Sequence, residues 1–314
     1  MSSVAFGDEA EILGRARDRF GLAGAPAASP LAGDIGARRY FRQVTPGGAS
    51  VLLVLYPQPA SPAQANWADI GAALGAAGVR VPALHADAPD LGAALIEDLG
   101  NRDLAMDLAE AAAEDRPALL DEAEELLSPL RSISRPVAAR NPAFDAAFFA
   151  AELGHTRHWA LEMGGREPLD DVRAADWTAC ASALARAAAD PRIAGDVVPT
   201  HRDYHANNLM RAPDGRLAAI DFQDLRLGPP DYDPVSLRFE RAAEAVPDDA
   251  SLYAEAVLLQ RAWKVLGTFE KMMLMGRPFY RPHREAALRV IRRHTKPGGP
   301  FAPLLAFLSL KPGV

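Results

Sequence analysis

The stretch from Thr200 to Asp224 constrains the fold most, because it combines a hairpin signal with regularly spaced polar side chains. Apolar residues flank Pro213-Asp214-Gly215-Arg216 on both sides, and Asp-Gly is typical of a two-residue hairpin loop. Counting outward from such a loop places Asn208 opposite Asp221. Opposed residues have Cβ atoms roughly 4.5–5.5 Å apart. The hairpin therefore predicts that these two side chains can share a metal ion, whereas a three-residue loop would shift the register by one.

The same stretch carries a spaced set of catalytic residue types. His201-Arg202-Asp203 is followed by Asn208, five positions after the aspartate, and by Asp221-Phe222, eighteen positions after it. This spacing matches the H-R-D-x-x-x-x-N and Asp-Phe set of kinases. Phosphoryl transfer from ATP needs a carboxylate that orients the attacking hydroxyl and accepts its proton, and oxygen ligands that hold Mg²⁺ against the triphosphate. Asp203 is then the base, and Asn208 and Asp221 are the Mg²⁺ ligands. The alternative is a surface hairpin with turn and cap residues.

Composition narrows the class of protein. A chain of 314 residues is long enough for two lobes with separate cores. A net charge of −7 argues against nucleic acid as the main partner. The single cysteine, Cys180, excludes an intramolecular disulfide framework and suits a reducing compartment. With neither a signal peptide nor an apolar run of about 18 residues, we expect a cytoplasmic monomer that does not enter a membrane.

Hydrophobic periodicity divides the chain near Gly100. The first hundred residues predict an α+β unit, with helices over 9–20 and 62–77 and strands over 40–44, 50–56, 79–84 and 93–99. The remainder is mainly helical in pattern, apart from the hairpin. Its predicted helices cover 102–113, 117–132, 143–163, 174–189, 235–245, 250–275, 284–294 and 301–310.

These motifs resemble the aminoglycoside phosphotransferase and choline kinase-like family. Within it, the chain most resembles the bacterial anomeric N-acetylmuramate/N-acetylglucosamine kinases of cell-wall recycling. The likeness covers nearly the whole chain. The matching pieces are Arg39-Tyr40-Phe41-Arg42, Ile96-Glu97-Asp98-Leu99-Gly100, Arg202-Asp203 to Met210, Asp221-Phe222-Gln223-Asp224 and Lys264-Val265-Leu266-Gly267.

The resemblance implies a two-lobed protein-kinase-like fold. Residues 1–99 would form a small β-rich N-lobe that binds the nucleotide, and residues 100–314 a large, mainly helical C-lobe with the catalytic loop and substrate pocket. ATP would lie in the cleft, with the backbone of Glu97 and Leu99 facing the adenine. The implied acceptor is a small-molecule sugar, phosphorylated with the help of Mg²⁺ on its anomeric hydroxyl.

The chain departs from the general kinase pattern in its lysines. All four lie in the last fifty-odd residues, and the strand over 51–56, where a kinase carries its phosphate-pairing lysine, has none. Arg38, Arg39 and Arg42 are the nearest replacements, because a guanidinium binds phosphate bidentately. A solvated strand edge is their alternative role. The glycines of Gly33-Asp34-Ile35-Gly36 can also let backbone N–H groups approach phosphates, although an ordinary loop has the same composition.

Other polar residues have open roles. His205 lies inside the catalytic loop, where it contacts either the acceptor or its protein neighbours. Asp224 is a candidate for the substrate or metal side of the cleft. Asp233, before Pro234, is more easily explained as an acceptor that fixes the catalytic loop or caps a helix. His155 and His158 have a spacing that permits metal binding, but an exposed helix face is the simpler interpretation.

Alternative functions remain at this stage. They are a kinase of another small alcohol or aminoglycoside, and a nucleotide-binding pseudokinase scaffold. The complete Asp203, Asn208 and Asp221 set favours an active enzyme, since a scaffold does not need all three.

Overall fold

A computed structural model describes residues 9–31, 38–165, 168–241 and 250–309. The glycine-containing loop Gly33-Asp34-Ile35-Gly36 lies outside these residues. The chain divides into two compact units. The first comprises Met1–Arg102 and Met210–Asp224, and the second comprises Asp103–Leu209 and Leu225–Val314.

The first unit is built on a five-stranded antiparallel sheet with the strand order β1-β2-β3-β5-β4. In its centre Phe41 faces Leu53, and Leu53 faces Leu95. All three are buried, and they pack with Ala16 from helix α1. The bounds are α1 (Glu9–Arg19), β1 (Ser29–Pro30), β2 (Arg39–Val44), β3 (Ser50–Leu55), β4 (Leu84–Ala88) and β5 (Ala93–Glu97).

Helix α2 (Pro62–Ala76) follows the prediction, with Pro62 in its first turn. It buries Trp67, whose ring centroid lies 5.2 Å from that of Phe222. The strand predicted over 79–84 is wrong, because β4 begins at Leu84. Pro82 cannot donate to a ladder, and the Arg80 carbonyl oxygen instead accepts the N–H of Ala219 at 2.9 Å.

The hairpin exists, but its predicted loop length is wrong. Its strands are Leu209–Arg211 and Leu217–Ala219. Ala212 donates its N–H to Arg216 O at 2.9 Å and accepts the N–H of Gly215, also at 2.9 Å. These bonds close a three-residue loop in which Gly215 has φ +83°, the left-handed conformation that such loops place on a glycine. The register is shifted by one residue, so the predicted pairing of Asn208 with Asp221 is lost.

The second unit is mainly helical, as predicted. Its core includes Trp177 and Trp263, whose rings meet edge to face at 5.2 Å. No described helix has both the length and the apolar character needed to cross a membrane. Two short strands, Val198–Thr200 and Arg226–Gly228, pair within this unit. The helices are α3 (Leu104–Glu110), α4 (Arg116–Glu125), α5 (Leu127–Arg131), α6 (Arg135–Ala138), α7 (Ala146–Thr156), α8 (Asp171–Ala189), α9 (Pro191–Ala194), α10 (Tyr232–Phe239), α11 (Glu255–Leu274) and α12 (Arg281–His294).

The long helix predicted over 143–163 has two parts. Asp145 caps the start of α7 by accepting the N–H of Phe148 at 2.7 Å. After Thr156 the chain widens into a π-helix, Arg157–Met163. Such π-helical turns occur frequently at functional sites.

Helices α7 and α11 approach each other closely at Gly267. A Cβ atom at this position would lie 2.6 Å from the Thr156 Cα atom. The Thr156 hydroxyl donates to Trp263 O at 2.9 Å, which ties the two helices together at the same level. Gly267 is therefore required by space, since a side chain would force the helix backbones apart.

We predict that Gly267→Ala lowers the free energy of unfolding by about 1–3 kcal/mol, the usual cost of overpacking. The matched control is Gly154→Ala on α7, where an added Cβ meets no atom within 4 Å. That change is expected to be neutral or to stabilise by up to about 1 kcal/mol. Urea denaturation of both variants measures the difference, and equal stabilities would contradict the close-approach argument.

Candidate active site

The catalytic loop is fixed through the carboxylate of Asp233. This side chain, 3% exposed, accepts the backbone N–H groups of His201 at 2.7 Å and Arg202 at 3.0 Å. Arg202 has φ +84°, a strained value for a side-chain-bearing residue. Burial raises the pKa of Asp233 above its ordinary value, against the opposing effect of His201 and the two backbone hydrogen bonds. The prediction that Asp233 is an acceptor fixing this loop is confirmed.

Two cations from one helix face hold the carboxylate of Asp203. Lys264 Nζ lies 3.0 Å from Asp203 Oδ1, and both terminal nitrogens of Arg261 lie 3.2 Å from the same oxygen. Burial by itself would raise the pKa of Asp203. The charges of Lys264 and Arg261 outweigh that effect and hold the pKa well below the usual carboxyl range. Asp203 is therefore an anion at neutral pH, although its side chain is only 26% exposed.

Arg261 is the centre of a buried polar network. Its guanidinium, 2% exposed, contacts Glu240 through two nitrogens and donates to the backbone oxygen of Arg202 at 2.7 Å. It also donates to the Tyr232 hydroxyl at 3.2 Å. Burial tends to raise the pKa of Glu240, but the Arg261 charge prevails and lowers it to about 2. One guanidinium thus neutralises Glu240 and positions Asp203.

Asn208 and His205 complete the loop. Asn208 donates its Nδ2 to the backbone oxygen of Asp203 at 2.8 Å, which leaves its Oδ1 as the atom for a further ligand. His205 Nε2 lies 3.4 Å from the same Nδ2. Burial lowers the pKa of His205 to about 4, so its imidazole is neutral at pH 7. Lys264 and Arg261, rather than His205, provide positive charge next to Asp203.

Asp221 belongs to the first unit, where it faces Arg38. It has φ +63° and follows the second hairpin strand. The Arg38 guanidinium contacts its carboxylate directly and also donates to Gln223 Oε1 at 2.9 Å. Gln223 Nε2 donates to Asp221 Oδ1 at 2.9 Å. A predicted metal ligand and a predicted phosphate-binding cation are thereby brought together.

The other two candidate arginines lie elsewhere. Arg39 is exposed, with its Nε 3.6 Å from Glu9. Arg42 binds Asp98 through two nitrogens at 2.6 and 2.9 Å and donates to Asn101 at 2.9 Å. The Arg42 guanidinium is therefore held by an ion pair at the sheet. Of the three candidate arginines, Arg38 is the one that contacts Asp221.

The remaining candidates occupy ordinary structural positions. The Glu97 carboxylate accepts a hydrogen bond from Arg80 at 2.7 Å and one from the N–H of Ala83 at 3.1 Å. Leu99 is buried with Ala212 in a small apolar cluster. Asp224 ends the short 3₁₀ turn Phe222–Asp224 and is partly buried.

The sequence motifs assigned no role in the site to Arg261 or Lys264. Their spacing of three places both on one side of α11, and two cations on a buried helix are unusual. That pattern is a usable signal for a site. What it could not supply is the partner, because Asp203 lies 58 residues before Arg261.

Comparison with known proteins agrees with this geometry. Residues 27–284 match the model of the phosphotransferase enzyme family. The N-acetylmuramate/N-acetylglucosamine kinase of Neisseria meningitidis serogroup B is 32% identical over 307 residues, covering 88% of each chain. The anticipated family resemblance is confirmed.

Solved structures show the fold. A thermostable mutant of aminoglycoside phosphotransferase APH(4)-Ia aligns with a TM-score of 0.62 at 13% identity, over 91% of this chain and 99% of that one. Another structure of that protein is a ternary complex with AMP-PNP and hygromycin B. A choline/ethanolamine kinase family protein from Mesorhizobium loti aligns with a TM-score of 0.57 at 17% identity, over 96% and 100%. The predicted kinase-like fold is confirmed.

We predict that Glu240→Gln destabilises the protein by about 3–5 kcal/mol at pH 7, the usual cost of breaking a buried ion pair. The folded-state pKa of Glu240 is depressed, so its stabilising effect is present above the unfolded value, about 4.3, and is lost as pH falls toward about 2. The difference in unfolding free energy between the wild type and the variant should therefore become smaller as the pH falls through that interval.

Thermal unfolding of both proteins between pH 6 and pH 2 provides the measurement. The groups facing Glu240 are Arg261, Arg241, His205 and Ser236, and Ser236→Ala is the matched control because it removes a neutral partner. If the stability difference between the wild type and Glu240→Gln did not change with pH, the ion pair with Arg261 would not be what depresses the pKa of Glu240.

Proposed function

We propose that this chain, which belongs to the phosphotransferase enzyme family and is a small-molecule kinase, transfers the γ-phosphoryl group of ATP to the anomeric hydroxyl of N-acetylmuramate or N-acetylglucosamine. The observation that carries the proposal is the anionic Asp203, held in a strained loop by Lys264 and Arg261. The name of the Neisseria relative supports the acceptor. The AMP-PNP complex of the APH(4)-Ia neighbour supports an adenine nucleotide as donor.

In this reaction Asp203 orients the acceptor hydroxyl. The hydroxyl oxygen forms a bond to the γ-phosphorus while the bond from that phosphorus to the β,γ-bridging oxygen breaks, and ADP leaves. The hydroxyl proton passes to the Asp203 carboxylate. A carboxylate with a depressed pKa is a weak base, which suits an acidic anomeric hydroxyl and a loose transition state that demands little proton abstraction.

The two cations beside Asp203, Arg261 and Lys264, have different roles in this proposal. Arg261 is buried and makes four further contacts, with Glu240, Arg202 O and Tyr232, so it positions the loop. The side chain of Lys264 is 16% exposed, and its proposed role is to stabilise the negative charge that develops on the transferred phosphoryl group. No lysine is available from β3 for this purpose.

The proposed Mg²⁺ ligands are the Asn208 Oδ1 and the Asp221 carboxylate. Both are hard oxygen donors of the kind that Mg²⁺ prefers, and the Asp221 side chain is 41% exposed. The Arg38 guanidinium against this carboxylate indicates a position that accepts positive charge. When bound, Mg²⁺ would neutralise phosphate charge on the nucleotide.

Arg38 is our candidate for the missing phosphate-pairing lysine. Arg39 is exposed and Arg42 is committed to Asp98, which leaves Arg38 as the guanidinium adjoining a proposed metal ligand. The backbone of Glu97 and Leu99 is proposed to face the adenine. For His205 we propose a hydrogen-bonding role within the loop, because it is buried and neutral. Asp224 remains a proposed substrate contact.

The test of the function is incubation with ATP, Mg²⁺ and each sugar, followed by ADP release and ³¹P–¹H correlation spectroscopy. We expect phosphate on the anomeric carbon. Asp203→Asn should lower kcat by roughly 10²–10⁴ while nucleotide binding persists. Phosphate on another hydroxyl, or turnover confined to aminoglycosides or amino alcohols, would contradict the acceptor.

The metal assignment predicts that Asp221→Ala abolishes the Mg²⁺-dependent part of ATP affinity and that Asn208→Ala weakens it. Calorimetric titration of ATP with and without Mg²⁺ measures this. The control is Asp214→Ala, since Asp214 is an exposed hairpin carboxylate paired with Arg216. An Asp221→Ala variant that retained the wild-type Mg²⁺ effect would remove Asp221 from the site.

For the phosphates, we predict that Arg38→Ala raises the KM for ATP by about tenfold or more, since it removes a charge-assisted contact. Arg39→Ala, on the neighbouring but exposed arginine, should leave the KM for ATP unchanged. Steady-state kinetics at saturating acceptor distinguishes the two. Unchanged values for both variants would move the phosphate-binding cation to another part of the chain.

A further inference from the structure

Helix α11 is buried on most sides but has a narrow strip of partly exposed polar residues. From Ala256 to Met272 every residue is buried except Lys264, Thr268 and Lys271. Their spacing of four and three places them on one face of the helix. Two lysines on a buried helix are costly unless that face meets solvent or a ligand. Lys264 already contacts the proposed catalytic base, so the polar face begins at Asp203.

A second polar face lies beside it, on α7 and the π-helix. Glu152 accepts a hydrogen bond from Gln260 of α11 at 2.9 Å. Trp159 lies under Lys271, with Nζ 5.6 Å from the ring centroid. The close approach at Gly267 keeps the two helices side by side. We call these residues the α7–α11 polar face: Glu152, His155, Trp159, Lys264, Thr268 and Lys271.

Two buried oxygens, one on this face and one next to it, accept no hydrogen bond. Among the described residues, neither Glu152 Oε1 nor Gln260 Oε1 receives a hydrogen bond. Gln260 is fully buried, and Glu152 Oε1 lies 3.8 Å from the Arg202 guanidinium, one residue before Asp203. Buried polar atoms normally have a partner. Gln260 is enclosed by the protein, so Glu152, whose side chain is 11% exposed, is the acceptor that a hydroxyl or amide N–H donor of a ligand would meet next to the reacting group.

Because Lys264 is paired with Asp203 and Glu152 carries a carboxylate, Lys271 is the cation of this face that can meet an acidic ligand. Burial lowers the pKa of His155, and Lys271, His158 and Lys264 lower it further, while Glu152 opposes them. His155 is therefore neutral among these cations. Lys264 and Lys271 are seven residues apart, about 10 Å along the helix. That distance is comparable to a monosaccharide with its anomeric end at Asp203 and a carboxylate-bearing substituent at Lys271.

We propose that the α7–α11 polar face is the acceptor site, in which Trp159 contacts the sugar ring and Lys271 binds a carboxylate of the acceptor. This inference rests on the proposed function and deepens it, because it makes a carboxylated N-acetyl amino sugar the preferred substrate. The Trp159 ring provides apolar contact for the C–H face of a sugar. Glu152 accepts from its hydroxyl or acetamido groups.

The decisive variant is Lys271→Met, which keeps the aliphatic stem and removes the charge. The KM for N-acetylmuramate, which has a carboxylate, should rise about tenfold or more. The KM for N-acetylglucosamine, which has none, the KM for ATP and kcat should stay within about twofold of the wild type. Lys296→Met is the matched control, since Lys296 is exposed and pairs with Glu255, and it should change neither sugar's KM.

A second variant, Trp159→Leu, should raise the KM for both sugars while leaving the KM for ATP unchanged. Equal effects of Lys271→Met on the two sugars, or no effect, would overturn the carboxylate contact. An unchanged sugar KM in Trp159→Leu would overturn the site. Failure of the proposed function has a different signature, because the wild type would then release ADP with neither sugar. In that case the proposed contact between Lys271 and the acceptor carboxylate is also wrong. The acceptor site is then tested by measuring Trp159→Leu with any other acceptor that the wild type phosphorylates. An unchanged KM for that acceptor would also overturn the site.

Discussion

The buried guanidinium of Arg261 is the interaction on which the catalytic half of the molecule depends. It joins Glu240, Tyr232, the backbone of Arg202 and the carboxylate of Asp203. Each buried anion would be costly by itself, and each is compensated by the same cation. The strained backbone at Arg202 is held from the other side by Asp233. The orientation of Asp203 is thus set by contacts on both flanks of its loop, which is the preorganisation that the proposed phosphoryl transfer would require.

This arrangement also decides what kind of base Asp203 would be in the proposed reaction. Lys264 and Arg261 keep it ionised and make it a weak proton acceptor. Such a carboxylate serves best as an orienting group for an acidic hydroxyl. His205, inside the same loop, contributes no positive charge because burial keeps it neutral. The positive charge of the site therefore comes from helix α11, which lies outside the motif of Asp203 and Asn208. The lysines of that helix continue toward Trp159 and the proposed acceptor carboxylate.

In the proposed site, Arg38 takes the place of the lysine that is absent from β3. The Arg38 guanidinium is bound to Asp221 and Gln223. Arg42 is bound to Asp98 instead. Three neighbouring arginines that look equivalent in sequence thus have three different environments. Arg39 and Arg42 differ because residues an odd number of positions apart point to opposite faces of the sheet, and they pair with Glu9 and Asp98, respectively. Arg38 differs because it lies just before β2 and meets Asp221.

The sequence by itself determined the helical and β-rich parts of the chain, the kinase-like family and the spacing of Asp203, Asn208 and Asp221, because these follow from local periodicity and from a short motif. It also indicated that Asp233 is structural, either fixing the loop or capping a helix, and the structure shows that it fixes the loop. The tertiary structure decided the rest. The hairpin loop has three residues because Gly215 takes a left-handed conformation and Asp214 does not, whereas a two-residue type I′ loop needs positive φ at both residues. The contacts of Asp203 with Lys264 and Arg261 join residues about sixty positions apart. Such pairs depend on how buried helices pack against one another, which no local pattern encodes.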